Sequence, residues 1–278
     1  MSIITIAREH GAWTAETSRK LADKLNAALL TKDELEKRLL DAGMKAKLFQ
    51  RYDERKPGFF SAFSPDQDIY LLYLKTIMLQ AAAAGNVVVL GRGAHLLLGD
   101  LPNCLRIRLV APTEIRLNRL QKEYGWDEET ANRMIHKCDA DRAGFCNFHF
   151  NEEWSNAALY DLTINTEKLS DEKLVNGIAA QIAARISDED EKEAAKLIKN
   201  RLLAQQVATA LLVEQKISLA FLEVNADDDG RITLLGATNT PAATRLAEET
   251  AARIPGVTAV DNKIRVAFEI AQNAPHRS

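Results

Sequence analysis

The sequence predicts an α/β protein, with a parallel β-sheet covered by helices, followed by a small α+β domain. The run VVVL at 87–90 has no polar alternation, which is typical of a strand buried on both faces of a parallel sheet. Strand patterns alternate with helical patterns before it and after it, as in sheets that helices cover on both sides. From a charged stretch at 187–196 onward, the order becomes helix, strand, strand, helix, strand. We therefore expect two domains, 1–186 and 187–278.

The elements of the first domain are predicted from the spacing of apolar residues. A β-branched run that begins at Ile3 predicts the first strand, and the runs at 105–110 and 161–164 predict two more beside VVVL. Apolar positions at helical spacing predict helices over these ranges: 16–30, 35–49, 69–84 and a long block over 113–150. The segment 54–68 contains two prolines, a glycine and three phenylalanines, so we expect it to be irregular.

Composition limits what the chain can bind. With 278 residues, 46% of them hydrophobic, it can bury a sizeable core, and its net charge of -3 argues against a nucleic-acid partner. The chain does not open on a basic stretch followed by an apolar segment, and no apolar run approaches the roughly 18 residues of a membrane span. Its three cysteines do not suggest a disulfide framework. We expect a cytoplasmic protein without a membrane span, and the sequence leaves a homo-oligomer open.

The first strand leads into a loop of the kind that binds phosphate, but the Walker residues are missing. In the pattern GxxxxGK[ST] the glycines let backbone N–H groups approach the anion, the lysine neutralises it and the hydroxyl binds magnesium. Here Arg8 and Trp13 occupy the two glycine positions and Thr14 the lysine position. Glu16, at the start of the following helix, would repel the anion. The loop therefore raises the question of whether this chain transfers phosphate.

Several motifs follow the first loop in a specific order. They are VVVLGRG at 87–93, APTEIRLNR at 111–119, DADR at 139–142 and YDLTINTEKLS from Tyr160. Each motif is short, but their order and spacing make the set specific. Together with ITIAREHG at the start, they make about the first 180 residues resemble the cytidylate kinase-like family, which is related to the nucleoside monophosphate kinases. The resemblance implies a P-loop kinase-like fold and ATP-dependent phosphoryl transfer to a nucleotide such as CMP.

The resemblance also implies roles for charged residues. Arg92, which directly follows a buried strand, would hold the phosphate of the acceptor nucleotide. Further arginines would belong to the lid and the acceptor site: Arg116, Arg119 and Arg142. Asp139 and Asp141 would orient these arginines or contact the base and the sugar. Phosphoryl transfer uses such residues because arginine keeps its charge and binds phosphate with a planar fork.

For the first loop, the resemblance implies binding of ATP with Mg²⁺. The family pattern S-R-E-x-G-S-G-G is kept at three positions, Arg8, Glu9 and Gly11, while AWT at 12–14 replaces its last three residues. We expect Arg8 to compensate in part for the missing glycines. Thr14 or Thr17 would supply a hydroxyl to magnesium.

Alternative interpretations stay open at this point. Arg116 and Arg119 lie three residues apart with Glu114 near them, so they also fit a set of exposed, locally paired helix charges. The altered loop also fits a catalytically inactive pseudokinase that acts as a nucleotide sensor or scaffold. A further alternative is a zinc site whose spacing matches no standard finger: His136, Cys138, Cys146 and His149.

The second domain carries a resemblance of its own. Strand patterns at 217–224 and 231–237 flank NADDDG, which predicts a hairpin, and a helix at 240–253 precedes a last strand within 255–266. Residues typical of BON domains recur at matching positions: Gly230, Leu235, Gly236, Gly256, Val257 and Asn262. The resemblance implies a non-catalytic module that binds an unknown ligand or protein and tethers or regulates the kinase-like domain.

Overall fold

The chain forms two compact units, which the computed structural model describes over residues 1–52 and 65–266. The first unit is Met1–Ala194 and the second is Ala195–Ser278. The predicted domain boundary after residue 186 falls between two helices and stays a prediction. Of the segment expected to be irregular, residues 54–64 lie outside the described residues, and residues 65–68 belong to a helix.

A five-stranded parallel sheet forms the centre of the first unit. Its strands are β1 (Ile3–Arg8), β2 (Ala28–Leu30), β3 (Val87–Leu90), β4 (Cys104–Val110) and β5 (Leu162–Asn165). They lie in the order β2-β3-β1-β4-β5, so β1 is central, with Ile3 opposite Val87 on one side and Cys104 on the other. Every residue of β3 is buried, as expected of a strand covered on both faces. The predicted fold class is confirmed.

Helices connect and cover these strands. They are α1 (Ala15–Leu25), α2 (Lys32–Asp41), α3 (Ala46–Tyr52), α4 (Pro65–Ala84), α5 (Ala94–Leu97), α6 (Thr113–Tyr124), α7 (Glu128–Phe150) and α8 (Asp171–Arg185). Side-chain oxygens of Thr14 and Asp127 accept hydrogen bonds from the first turns of α1 and α7, and such a cap stabilises a helix by about 1 kcal/mol. Within the described residues, no helix is long and apolar enough to cross a bilayer.

Three of the predicted helices are wrong in their extent, because the backbone turns at a left-handed residue. The helix expected over 16–30 ends at Leu25, where Asn26 has a φ of 47°, and residues 28–30 form β2 instead. The helix expected over 35–49 is divided into α2 and α3 near Gly43, whose φ is 93°. The block over 113–150 is divided at Gly125, whose φ is 69°. Apolar spacing continues across such breaks, so periodicity alone does not reveal them.

One hydrophobic core of the first unit lies between the sheet and the helices α1 and α8. Side chains from three strands and both helices are buried in it: Ile4, Ile6, Leu21, Val88, Ile107, Leu174, Ile178 and Ile182. Each side chain of this size stabilises the fold by about 1.5–3 kcal/mol when it is fully buried. Trp13 belongs to the same core at 7% exposure, and its Nε1 donates a hydrogen bond to the Ser18 hydroxyl. The core therefore extends to the end of the first loop.

The second unit is a small α+β domain. The helix α9 (Asp188–Thr209) begins in the first unit and ends in the second, where β6 (Ala220–Ala226), β7 (Arg231–Thr238), α10 (Pro241–Ala252) and β8 (Ala259–Val266) follow. β6 and β7 pair antiparallel through the predicted hairpin, whereas β7 and β8 pair parallel. A separate core includes Val207, Ile232, Leu234, Ala251 and Ile264. The predicted order of helix, strand, strand, helix, strand is confirmed.

We expect the fragment 1–186 to fold without the rest of the chain, because the two units have separate hydrophobic cores. Its urea unfolding, followed by circular dichroism, should be one cooperative transition at the urea concentration where the same transition occurs in the full chain. The fragment 187–278, which contains the core of the second unit, is the matched control and should also unfold in one cooperative transition. A clearly lower midpoint for the fragment 1–186 would show that residues beyond 186 stabilise the first unit.

Candidate functional site

The carboxyl ends of the parallel strands form the edge at which an α/β sheet binds its ligand. From β1 the chain crosses to β2 and β3 on one side, and from β3 it passes to β4 on the other side of β1. The connections that leave β1 and β3, which are neighbours in the sheet, therefore run in opposite directions, which opens a crevice between the carboxyl ends of these two strands. Arg8 ends β1 and Arg92 follows β3, and both arginines line a cavity at this edge.

A tight turn after β3 positions Arg92. Gly91, Arg92 and Gly93 have φ values of 74°, 56° and 67°, so three successive residues are in the left-handed region. Glycine adopts this region readily, but an arginine there costs about 1–2 kcal/mol. A Cβ on Gly93 would lie 2.5 Å from a ring carbon of Phe150, so no larger residue fits without a shift. The strained turn buries the Arg92 side chain to 3% exposure at the edge where a ligand is expected.

Three arginines line one cavity, which we call the arginine pocket. Arg8, Arg92 and Arg142 form its charged side, and it is completed by residues that include His95, Phe145, Cys146 and Trp154. The Arg92 guanidinium also lies 5.5 Å from the centre of the Phe49 ring. The fold thus gathers positive charge, the charge that recognises phosphate, in one cavity at the carboxyl edge of the sheet.

Burial makes the arginine pocket receptive to an anion. The pKa of Arg92 is lowered to about 10, mainly by burial and further by the positive charges of Arg142 and Arg8. The carboxylates of Glu36 and Asp33, on α2, act in the opposite direction. Arg92 is still charged at neutral pH. A phosphate dianion in the pocket would act as those carboxylates do and offset the mutual repulsion of the arginines.

The carboxylate of Asp139, on α7, is hydrogen-bonded to the first loop, residues 9–13, and to two arginines. Its Oδ1 accepts hydrogen bonds from the His10 amide at 2.8 Å and from Arg142 Nη1 at 3.2 Å. Its Oδ2 accepts one from Arg116 Nη1 at 2.5 Å. Charge-assisted hydrogen bonds of this kind are roughly twice as strong as neutral ones. One carboxylate therefore links the loop to α6 and α7.

Glu9 connects the start of the loop to the end of β4 and to α6 through a hydrogen bond and two ion pairs. Its Oε2 accepts a hydrogen bond from the Ala111 amide at 3.2 Å. Its carboxylate also lies 3.6 Å from Arg108 Nη2 and 3.7 Å from Arg116 Nε. Arg108 and Arg116 are 9% and 8% exposed, and a charge that is buried to this extent needs such a partner. The interpretation of Arg116 as an exposed helix charge is therefore wrong.

Arg119 binds the end of the first loop. Its Nη1 donates to the carbonyl oxygens of Gly11 and Ala12 at 3.5 and 3.1 Å, and to Thr166 Oγ1 at 2.8 Å. Its Nη2 donates to the Thr166 carbonyl oxygen at 2.8 Å. Gly11 passes so close to α6 that a Cβ there would lie 2.9 Å from the Arg116 carbonyl oxygen. The loop therefore directs two of its carbonyl oxygens to an arginine.

The two threonines after the loop interact with each other. Thr14 Oγ1 accepts a hydrogen bond from the Thr17 amide at 3.2 Å and lies 2.7 Å from the Thr17 hydroxyl. Thr17 is 1% exposed, while Thr14 is half-buried. Of the two hydroxyls expected to serve magnesium, that of Thr14 is therefore the more accessible one.

The candidate site residues fall into two groups. Those that line the arginine pocket are Arg8, Arg92 and Arg142. Those on or around the first loop are Glu9, Gly11, Thr14, Thr17, Arg116, Arg119 and Asp139. Asp141 lies two positions after Asp139 on α7, about 200° around the helix, and none of the contacts described above joins it to either group. Their roles in phosphoryl transfer stay predictions.

The residues considered for zinc do not converge. His136, Cys138, Cys146 and His149 all lie on the single helix α7, which separates the two cysteines by about 12 Å along its axis. The His149 ring instead packs among aromatic rings: Tyr52, Tyr70, Phe145, Phe148 and Phe150. Over the ranges 1–52 and 65–266, no group of three or more His, Cys, Asp or Glu side chains is arranged to hold a metal ion.

Sequence reasoning missed a pair of aromatic residues that we call the aromatic wall: Trp154, which lines the arginine pocket, and Tyr160, which is hydrogen-bonded to it. Arg108 lies over the rings of Trp154 and Tyr160, at 4.8 and 5.9 Å from their centres. His95 stacks on Tyr160 at 4.8 Å. The signals were an arginine within the otherwise apolar end of β4 and a histidine directly after the glycine-arginine turn. Neither residue belongs to a motif of the resemblance, so only their environment reveals them.

Arg119→Ala should destabilise the fold, because the loop carbonyl oxygens and Thr166 lose their charged donor. We expect the free energy of unfolding, measured by urea titration, to fall by about 1.5–3 kcal/mol. Arg133→Ala removes an exposed arginine from α7 and should leave stability nearly unchanged. If Arg119→Ala kept wild-type stability and only weakened nucleotide binding, Arg119 would be a ligand-binding residue and not a support of the loop.

Stability should fall as the pH drops from about 6.5 to about 4. Burial lowers the pKa of three histidines, His10, His95 and His149, from 6.5 to about 4, so between these values the unfolded chain binds protons that the folded protein does not. The stability that each neutral histidine contributes is complete above about pH 6.5 and falls by up to about 1.4 kcal/mol per pH unit below it. Thermal unfolding across this range measures the slope. His149→Phe should flatten it, and an unchanged slope would assign the acid sensitivity to other groups.

Comparison with known proteins assigns both units. The model of the cytidylate kinase-like family matches residues 3–168, more than half of the chain, and that of the BON domain matches residues 199–267. A cytidylate kinase from Methanopyrus kandleri is 25% identical over an alignment of 197 residues that covers 68% of this chain and 96% of that protein. A cytidylate kinase from Pyrococcus horikoshii is 27% identical over 190 residues, which are 68% of this chain and 90% of that protein.

A solved structure is similar to this chain in both sequence and fold. The crystal structure of an uncharacterized protein from Eubacterium ventriosum is 26% identical in sequence and has a TM-score of 0.54. The similarity covers 66% of this chain and 99% of that one. The family match, the order of the motifs and the parallel sheet agree, so the chain belongs to the cytidylate kinase-like family and carries a BON domain in its second unit.

Proposed function

We propose that the first domain, 1–186, is a nucleotide kinase that binds a nucleoside monophosphate such as CMP and transfers to it the γ-phosphoryl group of ATP. The observation that carries the proposal is the convergence of Arg8, Arg92 and Arg142 on one cavity at the carboxyl edge of the sheet. Open α/β sheets bind ligands at this edge, where the connections change direction. CMP is the acceptor to test first, because the curated relatives are cytidylate kinases.

The arginine pocket suits phosphoryl transfer because its charges are held in place before a ligand arrives. This reaction depends on positioning and on positive charge more than on covalent chemistry by the protein. Arg92 is positioned by the strained turn, and Arg142 by its hydrogen bond to Asp139 at 3.2 Å. Such guanidinium groups need little reorganisation to meet the acceptor phosphate. Arg8, at the end of β1, would face the transferred group.

ATP with Mg²⁺ would bind at the first loop. Magnesium usually keeps several waters and is held by one or two protein groups together with the phosphates of the substrate. The half-buried hydroxyl of Thr14 fits that modest requirement, with the Thr17 hydroxyl 2.7 Å away as its neighbour. When bound, the ion would neutralise charge on the transferred phosphate, while Arg116, Arg119 and Asp139 would keep the loop in place.

The second domain, 187–278, would tether or regulate the kinase-like domain through its BON module. Its core is separate, so it can bind a ligand or protein as an independent module. Phe221 on β6 is 90% exposed and has a φ of 53°. This exposed ring is the first position at which to test for contact with a partner.

A second candidate function is that of a nucleotide sensor that binds its ligands without transferring phosphate. The first loop favours this candidate. A phosphate loop presents backbone N–H groups to the anion, whereas here the amides of His10 and Ala12 are bonded within the protein and two loop carbonyl oxygens face Arg119. Trp13, at a glycine position of the Walker pattern, is buried in the core and anchors this arrangement.

Arg92→Ala should weaken CMP binding by about 1.5–3 kcal/mol, roughly 10- to 150-fold, because a buried charged donor to the phosphate is lost. Titration calorimetry with CMP and with ATP, each in the presence of Mg²⁺, measures the affinities, and a coupled assay measures CDP formation. Arg133→Ala, which removes an exposed arginine from α7, is the control and should bind CMP as the wild type does.

The same measurements separate the two candidate functions. A wild-type protein that binds CMP and converts it to CDP is a kinase, whereas one that binds both nucleotides without forming CDP is a sensor. The proposal fails if the wild type binds neither nucleotide, or if Arg92→Ala binds CMP as tightly as the wild type.

A further inference from the structure

His95 is a buried histidine that lines the arginine pocket. It lies on α5, three residues after Arg92, and is 3% exposed. Its Nε2 atom is buried and has no hydrogen-bond partner among the described residues. Buried polar atoms are almost always paired, and leaving one unpaired costs about 1–3 kcal/mol. An unpaired ring nitrogen beside a cavity lined by three arginines therefore points to a ligand.

The aromatic wall holds the His95 ring in one orientation. The ring stacks on Tyr160 with an interplanar angle of 26°, and their centres are 4.8 Å apart. The Tyr160 hydroxyl donates a hydrogen bond to the Trp154 carbonyl oxygen at 2.9 Å, and the Arg108 guanidinium covers both aromatic rings. A ring that is fixed in this way offers a hydrogen bond without the entropic cost of ordering a flexible side chain.

The surroundings of His95 also determine its charge state. Burial lowers the pKa of its imidazole to about 4, and the positive charges of Arg106 and Arg108 act in the same direction. At neutral pH the ring is therefore neutral, with one nitrogen that donates and one that accepts. Next to a phosphate dianion, the tautomer with the proton on Nε2 is favoured, because the anion offers only acceptors.

We propose that His95 is a further phosphate-binding residue of this protein: its imidazole donates a hydrogen bond from Nε2 to the phosphate group that the arginine pocket holds. The inference rests on the proposed function, since it assigns the ligand of the same pocket. The imidazole N–H of His95 would be a further donor beside the three arginines of the pocket. A donor on a ring that cannot turn freely would restrict the orientation of the bound phosphate, whereas the arginines supply the positive charge.

Two substitutions at His95 distinguish a role as hydrogen-bond donor to the phosphate from a role in packing against Tyr160. His95→Phe keeps an aromatic ring to stack on Tyr160 but removes the donor, whereas His95→Gln keeps an N–H donor of similar reach. We expect His95→Phe to weaken CMP binding about tenfold or more in titration calorimetry, and His95→Gln to recover most of the loss. Cytidine, which lacks the phosphate, should bind all variants equally. His136→Phe, at an exposed position on α7, is the control.

A measurement on the wild type avoids the risk that a variant does not fold. In long-range ¹H–¹⁵N spectra, the His95 resonances should show a proton on Nε2 when CMP is bound, and they should shift with CMP or inorganic phosphate but not with cytidine. If CMP binds the wild type but leaves these resonances in place, or binds His95→Phe as tightly, the role of His95 is excluded while the pocket stands. If CMP does not bind the wild type, the proposed function itself fails.

Discussion

The hydrogen bonds of Asp139 are the interaction on which the rest of the site depends. This one carboxylate accepts from the His10 amide, Arg116 and Arg142, and so connects the first loop with two helices. Guanidinium groups that are buried without an opposite charge would destabilise the fold strongly, so the arginines at this edge require such a partner. Glu9 likewise supplies the negative charge that pairs with Arg108 and Arg116. The two carboxylates make a dense set of arginines compatible with a folded core.

The same interaction connects the loop with the arginine pocket. Arg142 lines the pocket and donates to Asp139, while Asp139 holds the amide of His10. A phosphate in the pocket would therefore meet an arginine that is already held by the carboxylate that also binds the loop.

The first loop differs from a glycine-rich phosphate loop in what keeps it in shape. Glycines allow a backbone to wrap around an anion, and the hydrogen bonds from the backbone N–H groups to the anion then fix the conformation of the loop. In this chain the loop is ordered by the protein itself, through the burial of Trp13 and the hydrogen bonds from Arg119 to the carbonyl oxygens of Gly11 and Ala12. The arginines of α6 that the resemblance associates with nucleotides thereby support the loop.

The sequence by itself determined the fold class, the kinase-like resemblance of the first unit and the BON-like order of the second. It could do so because buried parallel strands such as 87–90, the glycine-arginine turn and the hairpin at 225–230 are local patterns. The tertiary structure alone decided where α1 ends, that Arg119 faces the loop, and that His95 lines the pocket. A left-handed residue, a guanidinium and an imidazole are each compatible with several environments. Only the packing of distant segments, β4 against β1 and α7 over the first loop, selects one of them.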